Sequence, residues 1–504
     1  MADSTFPGVG ALSSANEKTK AEPGLHSASS ADSVGVPEPE SGLDAQLDRT
    51  ILWKRDLLLT PVLGLLYTVM FLDRTNIANA RIEGLEKGLD MPTNGYNIAL
   101  SLFYIPFILS QVPSNLILNS GRIPPRWFLG GQMFALGILS MCQGLTQSYG
   151  GLLAIRFLMG IFESALPAAA TYMLSSYYTK KEAAPRFAWF FNFALAGPLF
   201  SGLLAYAIEN LDGRGGYEGW RWIFIIEGLM TVFFAIIAAV FLPDFPQKPT
   251  WFLREPERHR LLVTLEASRG NEKDGSAADN VPLWQILVDW RIHLFSLCFF
   301  CVDITASSVS AFAPTILTEL GWTATRAQLM TMPVWATGIV STFTLTIISS
   351  RLDLRWPFML CATCLQLCGW AIMNAYVEGN VAPGVRYMAL FFMSAGTFPQ
   401  MPLLMGWLSA NLRGRKFLAV GMAWQVSFGN SANLVSSNVF IKTQSPRYFT
   451  GFRNGLVFTC IGFTLVCVAT LLCIYRNRIR ETRRAAMSDD ERERDDQVNF
   501  KLHI

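Results

Sequence analysis

Twelve runs of about twenty apolar residues divide this 504-residue chain, each long enough to carry one helix across a ~30 Å hydrocarbon core. They fall at about 57–80, 97–119, 127–147, 150–174, 185–209, 220–242, 292–314, 328–350, 357–377, 385–410, 416–441 and 452–475,. No soluble fold exposes so much apolar surface, so the expected class is an all-α integral membrane protein of twelve spanning helices. Composition agrees: 51% of residues are hydrophobic and only 16% charged, against ~25% charged in soluble domains.

The gaps between runs set the organisation. Residues 1–50 are rich in Ser, Ala, Gly, Pro and Glu, too polar to offset the entropy of folding, and are expected to form a disordered cytoplasmic tail. The stretch has no basic-then-apolar start, so no cleaved signal peptide is read there. Residues 51–242 form a first six-helix bundle, 243–290 a cytoplasmic central loop, 291–475 a second six-helix bundle, and 476–504 a cytoplasmic C-terminal tail. With both tails inside, the inner loops and the tail segments next to the spans (49–56 and 476–484) carry 25 Lys and Arg and the outer segments 9. That bias fits cytoplasmic termini by the positive-inside rule. The halves look related: GRIPPRW (121–127) follows the second run and SRLDLRW (350–356) the eighth. Two six-helix halves in parallel place a binding site between them near the midplane.

Ionisable residues inside spans cost several kcal/mol and ordinarily face a cavity or a partner. They are Asp73 and Arg74 in span 1, Arg156 and Glu163 in span 4, Glu227 in span 6 and Asp303 in span 7. Seven residues separate Arg156 from Glu163, about 20° short of two helical turns, with Gly160 on nearly the same face. The stripe reads as cation, gap, carboxylate facing a pore. Counted from the run ends, Arg74 and Arg156 both fall in the outer half of the bilayer, at heights that let them converge on one anion. Asp73 and Arg74 point about 100° apart. The competing reading of this set is a structural ion-pair network locking helices together; for Glu227, beside Trp220-Arg221-Trp222, that reading is preferred. Polar residues elsewhere, Tyr104 in span 2 and Gln425, Asn430 and Asn433 in span 11, suit a lined cavity or helix–helix contacts.

Other classes of function find less support. The four histidines (26, 259, 293, 503) form no metal motif and no nucleophile–base pair stands in a local motif, so no enzyme, metal or cofactor is expected. Cys298-x-x-Cys301 and Cys361-x-x-Cys364 have redox or metal spacing but lie in apolar runs without a neighbouring His, where small packing residues are the simpler account,. A nutrient receptor would need a larger soluble domain. Nothing suggests nucleic-acid binding. In the central loop, Trp251, Leu253, Leu261 and Leu262 alternate with Arg254, Arg258 and Arg260, consistent with a helix lying on the inner membrane surface or with a solvated linker.

Several stretches in order, FLDRTNIANA, YIPFILSQVPSN, RFLMGIFESALPA, GWRWIFIIEG, LPDFP and AFAPTILTELGW, carry a resemblance to the anion:cation symporter branch of the major facilitator superfamily. The chain looks most like the fungal group of allantoate permeases and vitamin (nicotinate, pantothenate) transporters, over residues 50–500. The resemblance implies proton-coupled symport of a small organic anion across the plasma membrane, by a monomer using the proton gradient. A vacuolar membrane, or export of a secondary metabolite, is the alternative. It implies that Arg74 and Arg156 hold a carboxylate with Tyr104 and Asn430 beside them and that Asp73 and Glu163 take protons; Asp303, which opens the polar stretch DITASSVSAFAP of span 7, and Gln425 are read from their own positions as cavity lining or helix–helix contacts. GRIPPRW lacks the acidic residue usual in the superfamily's loop after span 2.

Overall fold

The computed structural model describes residues 42–119, 122–209, 211–269, 282–379, 381–412, 415–487 and 502. Twelve hydrophobic segments are helical, with no strand among the described residues. They are α1 (Gly42–Ala80), α2 (Gly95–Asn119), α3 (Pro125–Leu145), α4a and α4b (Tyr149–Glu163, Leu166–Tyr177), α5 (Lys180–Glu209) and α6 (Gly219–Phe241). The second half holds α7 (Trp290–Thr318), α8 (Ala324–Leu352), α9 (Trp356–Glu378), α10 (Pro383–Asn411), α11a and α11b (Arg415–Asn430, Ala432–Val439) and α12 (Phe449–Ala486). Nine helices among the described residues are, by length and composition, sufficient to cross a membrane. The other segments are α2 and the two broken helices.

Starts are set locally. Ser148 Oγ accepts the Gly151 N–H at α4a, Asp289 the Arg291 N–H at α7, and Thr323 the Arg326 N–H at α8; each satisfies a donor that a first turn leaves unpaired. Proline stands in the first turn of α3, α4b, α9 and α10, where its missing N–H costs nothing.

The packing pattern of the first half recurs in the second with an offset of six: α1 against α5 and α7 against α11, α2 against α4 and α8 against α10, α3 against α6 and α9 against α12. The halves meet through α2–α11 and α5–α8, again a symmetric pair of contacts. The α3–α6 contact is backbone-close: a Cβ on Gly137 would meet Gly228 O at 2.8 Å, and one on Gly228 would meet Gly137 O at 2.7 Å. Outward faces stay apolar, with Leu109, Leu229, Phe233, Val340 and Leu471 at least 60% exposed, as lipid contact requires.

The structure moves several boundaries. α1 begins at Gly42, so nine residues read as tail are helical; residues 1–41 lie outside the described region. α12 runs to Ala486, past the expected end near 475. Within it, Asn477 donates to the O of Leu502 (2.9 Å) and accepts from the Leu502 N–H (2.8 Å). Span 4 breaks at Ser164–Ala165 and span 11 at Ser431. The central loop contains a helix, Glu255–Arg269, which docks on α1 rather than lying free. Leu253, Leu261 and Leu265 are buried while Trp251 is 61% exposed. Glu257 pairs with Lys54 (2.6 Å) and Arg260 with Asp48 (3.2 Å).

At the end of the bundle opposite the termini, hydrogen bonds join the halves. Tyr96 Oη donates to Ala311 O (3.2 Å), Asn97 to Phe440 O (3.3 Å), Asn438 to Ser101 Oγ (2.8 Å) and Gln328 to Glu83 (2.9 Å). Arg81 lies 4.2 Å from the centre of the Tyr96 ring. Phe312 and Phe440 stack at 4.5 Å beneath.

Candidate functional site

A cavity of about 40 Å3 lies between the halves, far smaller than the ~300–1,000 Å3 of sites that hold drug-sized ligands. Its walls come from corresponding helices: α1, α4b and α5 of one half, and α7, α10 and α11a of the other. Five of the six contribute residues at i and i+4, which share a helical face. These are Phe71 with Tyr67, Thr171 with Pro167, Asp303 with Phe299, Met405 with Met401, and Asn430 with Val426. Phe191 completes the wall, and Arg74, seven residues after Tyr67, is the cavity's cation.

Arg74 forms a buried ion pair with Glu163 of α4a; their side chains are 13% and 1% exposed. Its guanidinium also lies over Phe107 (4.7 Å), Phe71 (5.1 Å) and Phe103 (5.8 Å). These faces stabilise the cation electrostatically. Nη2 has no hydrogen-bond partner, so the group retains donor capacity. Across the cavity, Asp303 Oδ2 accepts from Asn433 Nδ2 (2.9 Å).

The other sequence-derived candidates are placed differently. Arg156 is 2% exposed, and its Nε and Nη2 have no acceptor. It does not converge with Arg74: Arg74 sits at Glu163, and seven helical residues separate Glu163 from Arg156, a rise of ~10 Å. The height estimate placed Arg74 by the start of its apolar run, and a helix of 39 residues does not by itself fix where it enters the bilayer. Gly160 is no gap in a pore stripe. A Cβ there would meet Phe103 O at 2.2 Å, so it is the point where α4a packs on α2. Asp73 turns away from the cavity and accepts from Ser140 Oγ (2.9 Å) and Thr231 Oγ1 (3.1 Å), tying α1 to α3 and α6. Glu227, buried near Thr231, has neither carboxylate oxygen hydrogen-bonded.

Tyr104 is half-buried with its ring against Phe103 (5.0 Å), beside the rings that cover Arg74 but outside the cavity wall. Asn430 lines the cavity while its amide donates to Val426 O (2.9 Å). Gln425 faces α7, donating to Phe295 O (3.4 Å), and does not line the cavity. The aromatic wall, Tyr67, Phe71, Phe191 and Phe299, was not singled out from the sequence; the signal available for three of these was their i, i+3, i, i+4 or i, i+7 spacing to Arg74 and Asp303.

Comparison with known proteins agrees with this architecture. The Major Facilitator Superfamily profile matches residues 63–437. The MFS transporter prlL of a fungal species (strain NRRL 50135) is 31% identical over 471 residues, covering 89% of this chain and 92% of that one. The high-affinity nicotinic acid transporter of Saccharomyces cerevisiae is 28% identical over 446 residues, covering 88% and 81%. The proton:xylose symporter XylE, solved with 6-bromo-6-deoxy-D-glucose, superposes with a TM-score of 0.62 at 16% identity, covering 81% of this chain and 94% of that one. The chain is therefore a membrane transporter and not an enzyme, and it belongs to the major facilitator superfamily, alongside fungal transporters that include one for nicotinic acid.

Proposed function

We propose that this protein is a proton-coupled symporter that imports a small organic monocarboxylate across the fungal plasma membrane. The observation that carries the reading is the buried Arg74–Glu163 pair at the cavity between the halves. A substrate carboxylate competes with Glu163 for the same guanidinium. When Glu163 takes a proton it releases Arg74, and the anion takes its place. Binding of proton and anion is then linked without any bond-making chemistry. Asp303 faces Arg74 across the cavity.

Asp73, held by two hydroxyls inside the first half, positions α1 so that Arg74 faces the cavity. Arg156, about two turns nearer the sealed end, is the first cation an incoming anion meets once that end opens, with Arg74 beyond it. With cytoplasmic termini, supported by the distribution of basic residues, the hydrogen bonds at the far end close the outside, and the described conformation faces inward. Alternating access exchanges that closure for one at the termini end by rocking the halves.

The relationship to a nicotinic acid transporter supports a vitamin-like carboxylate. The test is uptake of labelled nicotinate, pantothenate, biotin, allantoate and sugar acids into transport-deficient yeast expressing this chain, at acidic and neutral external pH. Accumulation of one member that is stronger at acidic pH is expected. Absence of uptake of every member, with the protein at the cell surface, overturns the reading in favour of export.

A further inference from the structure

We infer that the substrate is amphoteric: a flat carboxylate bearing a cationic or N–H-donating nitrogen at its other end, with Asp303, held by Asn433, as the residue that selects it. The inference rests on the reading that Arg74 holds the substrate carboxylate.

The pseudo-symmetry of the fold brings α1 and α7 to equivalent positions around the cavity. Each contributes one charge, and the charges are opposite: Arg74 from the first half, Asp303 from the second. Arg74 has a counter-ion in Glu163. Asp303 has none within ion-pair distance among the described residues; its Oδ2 accepts one amide hydrogen bond, and the side chain lines the cavity. A buried carboxylate left in that state is costly unless a partner arrives. A plain monocarboxylate brings a second negative charge toward Asp303. A molecule with a positive or N–H-bearing far end brings the missing donor and ties the halves together through itself.

The walls narrow the class further. Tyr67, Phe71, Phe191 and Phe299 present aromatic rings to the cavity. The lining offers two hydroxyls, on Tyr67 and Thr171, and one amide, on Asn430. A polyol would lose its water without finding replacement partners, which the loss of several hydrogen bonds makes unfavourable,. A flat ring loses little water and gains contact on both faces.

The test is equilibrium binding to the full-length chain in lipid nanodiscs, with benzoate, 4-(aminomethyl)benzoate, benzylamine and gluconate as probes. The expected result is that 4-(aminomethyl)benzoate binds at least tenfold more tightly than benzoate and that gluconate binds more weakly than either. In Asp303→Asn the ratio between the two benzoates collapses toward one. Equal or tighter binding of benzoate by the unaltered protein overturns the inference while leaving the carboxylate reading intact. A ratio that survives in both Asp303→Asn and Asn433→Ala overturns Asp303 as the selecting residue. If neither benzoate binds the folded protein but benzylamine does, the carboxylate reading itself falls, and this inference with it. The ratio in the unaltered protein decides the substrate class even where a variant fails to fold.

Discussion

Replacing Glu163 by Gln separates the coupling role of the Arg74–Glu163 pair from a purely structural one. Glu163 is buried, and it is the carboxylate that an incoming anion must displace from Arg74. A hydrogen bond to a charged group contributes ~1.5–3 kcal/mol and a neutral one ~0.5–1.5 kcal/mol. Gln therefore lowers the cost of displacement by ~1–2 kcal/mol, which at ~1.4 kcal/mol per decade corresponds to roughly 5- to 30-fold tighter anion binding at neutral pH. At acidic pH, where a protonated Glu163 already resembles Gln, variant and wild type converge. The same change leaves a buried guanidinium without its counter-ion, so the ligand-free variant is less stable, by up to ~3–5 kcal/mol where one partner of a buried pair is lost. The assay is binding of a labelled carboxylate to purified protein at pH 5 and pH 7.5, with the apparent melting temperature recorded with and without ligand. Expected are a lower melting point without ligand, a larger rise on ligand addition, and an affinity that no longer changes with pH. Weaker binding than wild type at both pH values, or an unaltered pH dependence, refutes the competition argument.

Three further substitutions test the surroundings. Asp73→Asn retains groups able to bond Ser140 and Thr231 and is expected to keep pH-dependent uptake, whereas Asp73→Ala removes the ties to α3 and α6, leaves the two hydroxyls to Phe224 O (3.4 Å) and Glu227 O (3.0 Å), and lowers stability by ~0.5–1.5 kcal/mol per bond lost,; loss of pH dependence in Asp73→Asn with transport retained moves the proton to Asp73. Gly160→Ala drives a methyl into Phe103 O, 2.2 Å from where its Cβ would stand, and is expected to cost ~1–3 kcal/mol by overpacking and to abolish uptake; normal uptake would show that the α2–α4a spacing does not matter. In the loop helix, partial burial works against the charge on Glu257, but the Lys54 ammonium and the Arg254 N–H outweigh it and hold the carboxyl below its ordinary value. A carboxylate with a depressed value stabilises docking above the unfolded value and loses that contribution as pH falls through the folded one. The protection factors of residues 255–269, with the intrinsic pH dependence of amide exchange divided out, are therefore expected to be constant around neutrality and to fall only below about pH 4, while Glu257→Gln lowers them up to roughly fivefold around neutrality and makes no difference once wild-type Glu257 is protonated, fivefold being the ~1 kcal/mol limit of an exposed pair.

The twelve spans and their division into halves were legible because each needs about twenty apolar residues, and nothing else in the chain competes with that signal. The breaks in spans 4 and 11 were less so, since Ser164–Ala165 and Ser431 are compatible with a continuous helix; Pro167, in the first turn of α4b, was the one local sign. Charge content was legible as well, but heights were not. They depend on where a helix enters the bilayer, and α1, at 39 residues, is nearly twice the ~20 that span it. Facing was partly legible. Gln425 and Asn430 are five residues apart, about 140° around a helix, so they could not line one cavity, and the structure gives the cavity to Asn430. Gly160 was ambiguous, because a missing side chain reads equally as a gap beside a pore or as room for a neighbouring backbone.

The two halves solve the same problem of burying polarity in different ways, and the difference bears on coupling. In the second half, Thr363, Gln400, Gln366 and Thr305 form a neutral relay across α9, α10 and α7, with bonds of 3.2, 2.6 and 2.6 Å. In the first half the corresponding support for α1 is ionisable: Asp73 bonded to hydroxyls of α3 and α6, with Arg74 next in sequence facing the cavity. An amide relay holds its geometry whatever the pH, so the second half is built as a fixed wall from which Asp303 projects. The first half concentrates the charges that a proton or an anion rearranges. On this division, the first half senses proton and carboxylate, and the second reads the rest of the substrate. A ligand that satisfies both is the one whose binding draws the halves together.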